Sequence, residues 1–283
     1  MIIWLASYPK SGNTLLRSLL SSYFYSEDGI FNFKNLEKIS QFPQTSHLMS
    51  IGVDVNNEEE VFKNFINAQN FINQEREKVK FFKTHSSLCK MYDSNFTDLK
   101  NTLGSIYIVR DPRNVITSIQ NHYEITKDEA LKFMTNEKKF IYDHKLKHDY
   151  SDFQFISSWE KNYQSWIKQN LFPVKVVKYE DINNKTFEIF KEIIKFIENI
   201  TQRKNLFDKI KATNCIDSTT FDKLQNLEKK EGFLESVLSK NVSKKIPFFH
   251  LGPKNDWKNI FDQSYQNKLN LIFERNLKEL TYI

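Results

Sequence analysis

The side chains best suited to chemistry in this chain stand at the ends of short apolar runs. Lys10, Ser11, Gly12, Asn13 and Thr14 come shortly after "IIWLAS" (residues 2–7), Lys83 and His85 close "VKFFKTH" (79–85), and Arg110 closes "SIYIVR" (105–110) with Ser118 eight residues on. If residues 2–7 are a strand and "TLLRSLLSSYF" (14–24) is the helix behind it, the turn between them points unpaired backbone N–H groups at one place. An anion is stabilised there. The chain has only six glycines, so Gly12 is informative as a position where the backbone turns tightly or a ligand comes close. Ser11, Asn13 and Thr14 offer hydrogen bonds, and Thr14 suits a helix start. The plainer alternative is a polar connection with no ligand. The nucleoside-triphosphate signature G-x-x-x-x-G-K-[ST] is not met, because its first glycine is missing and Lys10 precedes Gly12. An imidazole at a strand end can move a proton near neutral pH, and a guanidinium there can fork onto phosphate oxygens.

These residues need a scaffold that gathers strand ends. Short apolar runs alternate with segments of helical period, which predicts an α/β fold: one domain over residues 1–283, with a central, mostly parallel sheet flanked by helices. The strands are 2–7, 79–85, 105–110 and "PVKVVKYED" (173–181), with helices over 14–24, 113–123 and 186–200. Further helices are expected in 58–74, around 129–143 and around 153–170, and the lysine-rich stretch 215–247, which has little periodicity, reads as a loop or lid. Gly252 is the second informative glycine.

Lys and Arg exceed Asp and Glu by 41 to 35. This mild excess suits anionic small molecules and is also met by an ordinary lysine-rich exterior. Two cysteines, Cys89 and Cys215, are too few for a disulfide framework or a zinc site. The N-terminus lacks the basic region and length of a signal peptide, and no run approaches the ~20 apolar residues of a membrane helix. A cytoplasmic protein without a membrane span is expected.

The ordered set of segments resembles the sulfotransferases that use 3′-phosphoadenosine 5′-phosphosulfate (PAPS). "YPKSGNT" (8–14) is similar to their 5′-phosphosulfate loop, "FFKTH" to the strand end with the catalytic histidine, and "YIVRDPRNVITS" to the 3′-phosphate segment. "VVKYED", "STTF" and "GPKNDWKNIF" are similar to the adenine-side segments and the C-terminal loop, so the likeness runs from residue 4 to 261. It implies a P-loop-like fold, His85 as general base, and Lys10 assisted by Lys83 at the bridging oxygen. Lys10, Ser11, Gly12, Asn13, Thr14 and Leu15 would hold the phosphosulfate, and Arg110 and Ser118 the 3′-phosphate, with Arg113 as a further contributor. Tyr179, Thr219 and Phe221 would flank adenine, and His250, Leu251 and Gly252 would close the 3′ side. The product would be adenosine 3′,5′-bisphosphate, the acceptor a small molecule with a hydroxyl or amine, and neither metal nor nucleic acid would be involved. Residues 36–75 and 215–247 would cover the acceptor.

The chain departs from the family pattern in three places. His250 and Leu251 stand where many cytosolic relatives have Arg and Lys, Asn255 replaces a glycine, and Leu15 replaces a tryptophan. Lys254 is a candidate to make up the lost charge. "KNIFDQSYQN" does not match the dimerisation motif of vertebrate members, which leaves the oligomeric state open. A nucleotide-dependent kinase of related architecture is the alternative enzyme, and it would need magnesium and ATP.

Overall fold

Ile2–Ser7 forms a strand in which every residue is buried, which is why the run shows no polar alternation: both faces of the sheet are covered. Ile2, Trp4 and Ala6 enter one apolar cluster with Phe82, Tyr107 and Val109, while Ile3 and Leu5 enter another with Phe81, Ile106 and Ile108. The computed structural model describes residues 1–74, 78–142, 149–237, 239 and 245–283.

Four strands pair in the spatial order Lys80–Thr84, Ile2–Ser7, Thr102–Val109, Val174–Lys178, and every pairing is parallel. The second strand lies on one side of the first and the third on the other. A crevice therefore opens at the carboxyl ends between the first and third, where open sheets of this kind hold ligands. The register brings the ends level, with Ala6 opposite Thr84, Ser7 opposite Ile108, and Val109 opposite Lys178.

Helices cover both faces of the sheet. Asn13–Tyr25 sends Leu16, Leu19 and Leu20 into the second cluster. Pro112–Tyr123 starts with proline in its first turn and Asp111 as cap, its carboxylate accepting from the Arg113 N–H. Thr186–Thr201 buries Phe190, Ile193, Ile194 and Ile197, an i, i+3, i+4, i+7 stripe.

The elements outside this frame differ from the sequence expectations. The helix expected over 58–74 is two, Glu58–Lys63 and Phe65–Ile72, because Asn64 leaves helical geometry and its Nδ2 donates back to the Glu60 carbonyl. The helix expected over 129–143 is Lys127–Thr135. Beyond it, Phe140–Ile141 pairs with Gln154–Phe155, held by Phe140 against Phe155 and Tyr142 stacked on Phe153; residue 143 lies outside the described residues. The helix around 153–170 is only Trp159–Ile167. The fourth strand stops at Lys178, and Tyr179–Asn184 is already helical. The stretch 215–247 is not a loop throughout. Helices Lys209–Ser218 and Phe221–Glu231 fill its first half, and its positions 238 and 240–244 lie outside the described residues.

Candidate active site

A cavity of about 440 Å³ opens where the strands end. Each of the four strands leads into its wall: the first through the turn at residues 8–12, the second through His85, the third through Arg110, the fourth through Tyr179. The sequence-predicted residues Lys10, Gly12, Asn13, Thr14, Leu15, Lys83, His85, Arg110, Ser118, Tyr179, Thr219, Phe221, His250, Leu251 and Gly252 all line it. Ser11 does not; it is fully buried beneath the turn, and its Oγ finds no partner.

The turn takes two residues into the left-handed region. Lys10 has φ +65 and Gly12 φ +104. A Cβ on Gly12 would lie 2.4 Å from Tyr179 Cδ2, so only glycine lets that ring approach. Gly12 is also the N-cap, and no side chain caps the helix, leaving first-turn N–H groups to face the cavity. Asn13 serves the turn itself. Its Nδ2 donates to the Leu5 carbonyl at 2.9 Å and to Ser7 Oγ at 3.1 Å, so its amide nitrogen is not free for a ligand.

His85 is held by its own backbone and ring. Its N–H donates to Gln154 Oε1 at 2.7 Å, its carbonyl accepts from Asn162 Nδ2 at 2.9 Å, and its Nδ1 lies 2.8 Å from the Ser7 carbonyl. A carbonyl only accepts, so Nδ1 carries the proton and Nε2 keeps its lone pair. Burial, reinforced by Lys83 and opposed by the Ser7 carbonyl, pulls the ring down to about 3, well below the ordinary imidazole value of about 6.5. The ring is therefore neutral, with the Nε2 lone pair unprotonated.

Lys10 extends toward His122 Nδ1, 3.4 Å away, with its ammonium 3.8 Å from the centre of the Phe248 ring. Burial pulls it down to about 7; Lys83 and Arg110 act the same way, and Glu235 opposes them. Arg110 donates to the Lys10 carbonyl at 3.2 Å and to Ser118 Oγ at 3.3 Å, and its guanidinium lies 4.2 Å from the centre of the Tyr179 ring. Its Nε is buried without a partner. The helix that carries Ser118 starts beside the end of the third strand, which brings Ser118 Oγ to Arg110.

Arg113 points elsewhere. Its guanidinium pairs with Asp111 at 2.7 Å, donates to Asn270 Oδ1 at 2.7 Å and lies over Trp257, which makes it a structural residue. Lys254 is exposed and does not line the cavity, so it does not make up the charge missing at His250 and Leu251. Asn255 is put to use: its Oδ1 accepts from Thr117 at 2.6 Å, and its Nδ2 donates to the Asn114 carbonyl at 2.9 Å and Ser118 Oγ at 3.1 Å. It pins the C-terminal loop to the helix that carries Ser118. Gly252, with φ +53, lets the Phe221 ring sit where its Cβ would be, 2.2 Å from Cδ2.

Two residues escaped the sequence reading. Arg17 lies one turn beyond Thr14 and is almost fully buried; an arginine within the leucine-rich "TLLRSLL" was the available signal. Glu235 is the one carboxylate among the described residues that line the cavity, and nothing in the aperiodic stretch around it marked it. Among the described residues of 36–75, Gln41 alone lines the cavity; Phe42, Phe62 and Phe65 from that stretch are core, against the expectation that it walls the acceptor. Among the described residues, no helix is long and apolar enough to cross a membrane.

Comparison with known proteins agrees with this architecture. The sulfotransferase domain profile matches residues 2–281. Sulfotransferase 1A1 of Rattus norvegicus is 21% identical over 98% of this chain and 85% of its own length, and Sulfotransferase 1E1 of Homo sapiens is 29% identical over 44% and 40%. Among solved structures, mouse sulfotransferase SULT7A1 complexed with PAP superposes with a TM-score of 0.56 at 16% identity, covering 97% of this chain and 83% of that one. Retinol dehydratase in complex with androsterone and inactive cofactor PAP gives a TM-score of 0.60 at 14% identity, covering 98% and 80%. With the profile running nearly end to end, the chain belongs to the sulfotransferase domain family, and it is an enzyme of the PAPS-dependent sulfotransferase class.

Proposed function

We propose that the chain transfers the sulfuryl group of PAPS to a hydroxyl or amine of a small molecule, with His85 as general base. The observation that carries this reading is the fixed tautomer of His85: Nδ1–H is held by the Ser7 carbonyl on the first strand, and the Nε2 lone pair is left unprotonated in the same cavity as Lys10, Lys83 and Arg110. On this reading the acceptor heteroatom attacks sulfur as its proton passes to His85 Nε2. The bond from sulfur to the bridging phosphate oxygen breaks, and adenosine 3′,5′-bisphosphate leaves.

Such transfers are governed by positioning and charge stabilisation. Lys10, assisted by Lys83, neutralises the charge that develops on the bridging oxygen, and Gly12, Asn13, Thr14 and Leu15 give the phosphosulfate their backbone N–H groups. Arg110 and Ser118 take the 3′-phosphate, with Gly252, His250 and Leu251 beside them, while Tyr179, Thr219 and Phe221 enclose adenine. The cavity is also lined by Gln41, Gln154, His122, Tyr123, Ile141 and Phe248, which this reading gives to the acceptor side. That mixture of rings and amides fits a partly polar small molecule.

The test is calorimetric titration with adenosine 3′,5′-bisphosphate and, separately, with ATP plus magnesium. Binding of the bisphosphate without metal is expected. Binding of ATP with magnesium alone would overturn the donor assignment and favour a kinase. Release of the bisphosphate from PAPS in the presence of a phenol, alcohol or amine panel then identifies the acceptor class.

A further inference from the structure

Glu235 lies on the short segment that follows helix Phe221–Glu231. Its Oε2 accepts from Thr14 Oγ1 at 3.2 Å, and its Oε1 accepts from Lys83 Nζ at 3.2 Å and from the Arg17 guanidinium. Thr14 and Lys83 are residues to which the reading above gives the phosphosulfate, and Arg17 is on the same helix one turn on. Each cation is nearly buried, with 7% of the Arg17 side chain and 11% of the Lys83 side chain exposed. Burial alone would raise the Glu235 carboxyl, but Lys83 and Arg17 outweigh it and hold the group well below the usual carboxylate range. It is an anion, seated among the donors of an anion cradle.

The segment that delivers it is docked on both sides. Phe233 stacks on Phe33 at 4.9 Å and packs on Phe249, Ser236 Oγ donates to Glu228 Oε1 at 2.6 Å, and the Ile246 N–H donates to the Val237 carbonyl at 2.8 Å. Glu228 also accepts from the N–H groups of Phe248 and Phe249, so the contact belongs to an ordered arrangement shared with the C-terminal loop.

The geometry points to Glu235 as an internal occupant of the phosphosulfate cradle, which keeps Lys83 and Arg17 paired and which the donor must expel to bind. This rests on the donor assignment made above. Two anions cannot share Thr14 Oγ1, Lys83 and Arg17 without mutual repulsion in a partly desolvated site, and a competent state present only as a fraction lowers apparent affinity by that fraction.

The experiment compares the wild-type chain with Glu235→Gln, which keeps shape and removes charge, by calorimetry with adenosine 3′,5′-bisphosphate and by thermal denaturation without ligand. A lower melting temperature together with binding at least about tenfold tighter is expected. Loss of a merely structural ion pair would lower melting temperature and leave affinity equal or weaker, and that result overturns the inference while the donor assignment stands. If neither protein binds the bisphosphate, the donor assignment itself fails and takes this inference with it. Should Glu235→Gln not fold, Glu235→Asp, too short to reach all three donors, replaces it: tighter binding supports the inference and equal or weaker binding overturns it.

Discussion

On the sheet side of the cavity, His85, Arg110 and Tyr179 each stand one residue beyond a strand of the parallel sheet. On the facing side, Phe221, Phe248, His250 and Gly252 hang from a region whose two helices, Lys209–Ser218 and Phe221–Glu231, bury only Ala212, Cys215 and Leu224 of their own residues. The first wall is held by core packing and fixed register. The second is held by an aromatic cluster around Phe31, Phe233 and Phe249 and by side-chain hydrogen bonds from Glu228 and Asn255. A wall of the first kind places reacting groups accurately, whereas one of the second can move to admit a ligand.

The sharpest way to break this comparison is to remove a group from the rigid wall that does chemistry. His85→Ala is expected to fold and to keep its bisphosphate affinity while losing roughly 10²–10⁴ in turnover, measured by bisphosphate release from PAPS. Turnover like that of the wild type would remove His85 from the mechanism.

The pH dependence comes next. On the proposed mechanism Lys10 works as a cation and is held at about 7, while His85 works as a neutral base and is held at about 3. Turnover over KM for PAPS should therefore stay flat on the acid side until close to the His85 value and fall as pH rises through that of Lys10, by roughly tenfold per unit. Lys10→Arg should move the alkaline limb upward. An acid limb near neutrality would mean that His85 is not depressed in the free enzyme.

The two glycines compare the walls directly. Gly12→Ala forces a left-handed residue against the buried Tyr179 ring and is expected to cost about 2–3 kcal/mol of stability by denaturant unfolding. Gly252→Ala meets the partly exposed Phe221 ring, which can turn away, so about 1 kcal/mol of stability is expected, with the larger effect on bisphosphate affinity. Equal losses of stability at both positions would contradict the proposed difference in rigidity. Asn255→Ala removes three side-chain hydrogen bonds and is expected to cost about 1–2 kcal/mol, read as a fall in melting temperature.

The same contrast explains what could be read from the chain in advance. The strands Ile2–Ser7 and Thr102–Val109 are buried on both faces, so their apolar runs stand out, and the residues that close them are the residues at the ligand crevice. Helices Lys209–Ser218 and Phe221–Glu231 bury too few positions to carry a 3.6-residue pattern, so their sequence reads as loop. Glu235 was illegible for a related reason: its role depends on meeting Arg17 and Thr14 more than two hundred residues away, and no local pattern encodes that. His85 was legible by position, but its depressed pKa was not, because that follows from burial and from the nearby Lys83 charge.

The parallel register has a consequence for how this enzyme can fail. Side chains alternate between faces along a strand, so pairing Lys80–Thr84 one residue out of step against Ile2–Ser7 would turn Lys83 to the wrong face and carry His85 away from the Ser7 carbonyl that sets its tautomer. Most of the burial could survive such a slip, but the proton acceptor could not. Specific activity in this chain is thus a more sensitive gauge of correct strand alignment than secondary-structure content, and an inactive preparation with normal circular dichroism should be suspected of misregistration before chemical damage.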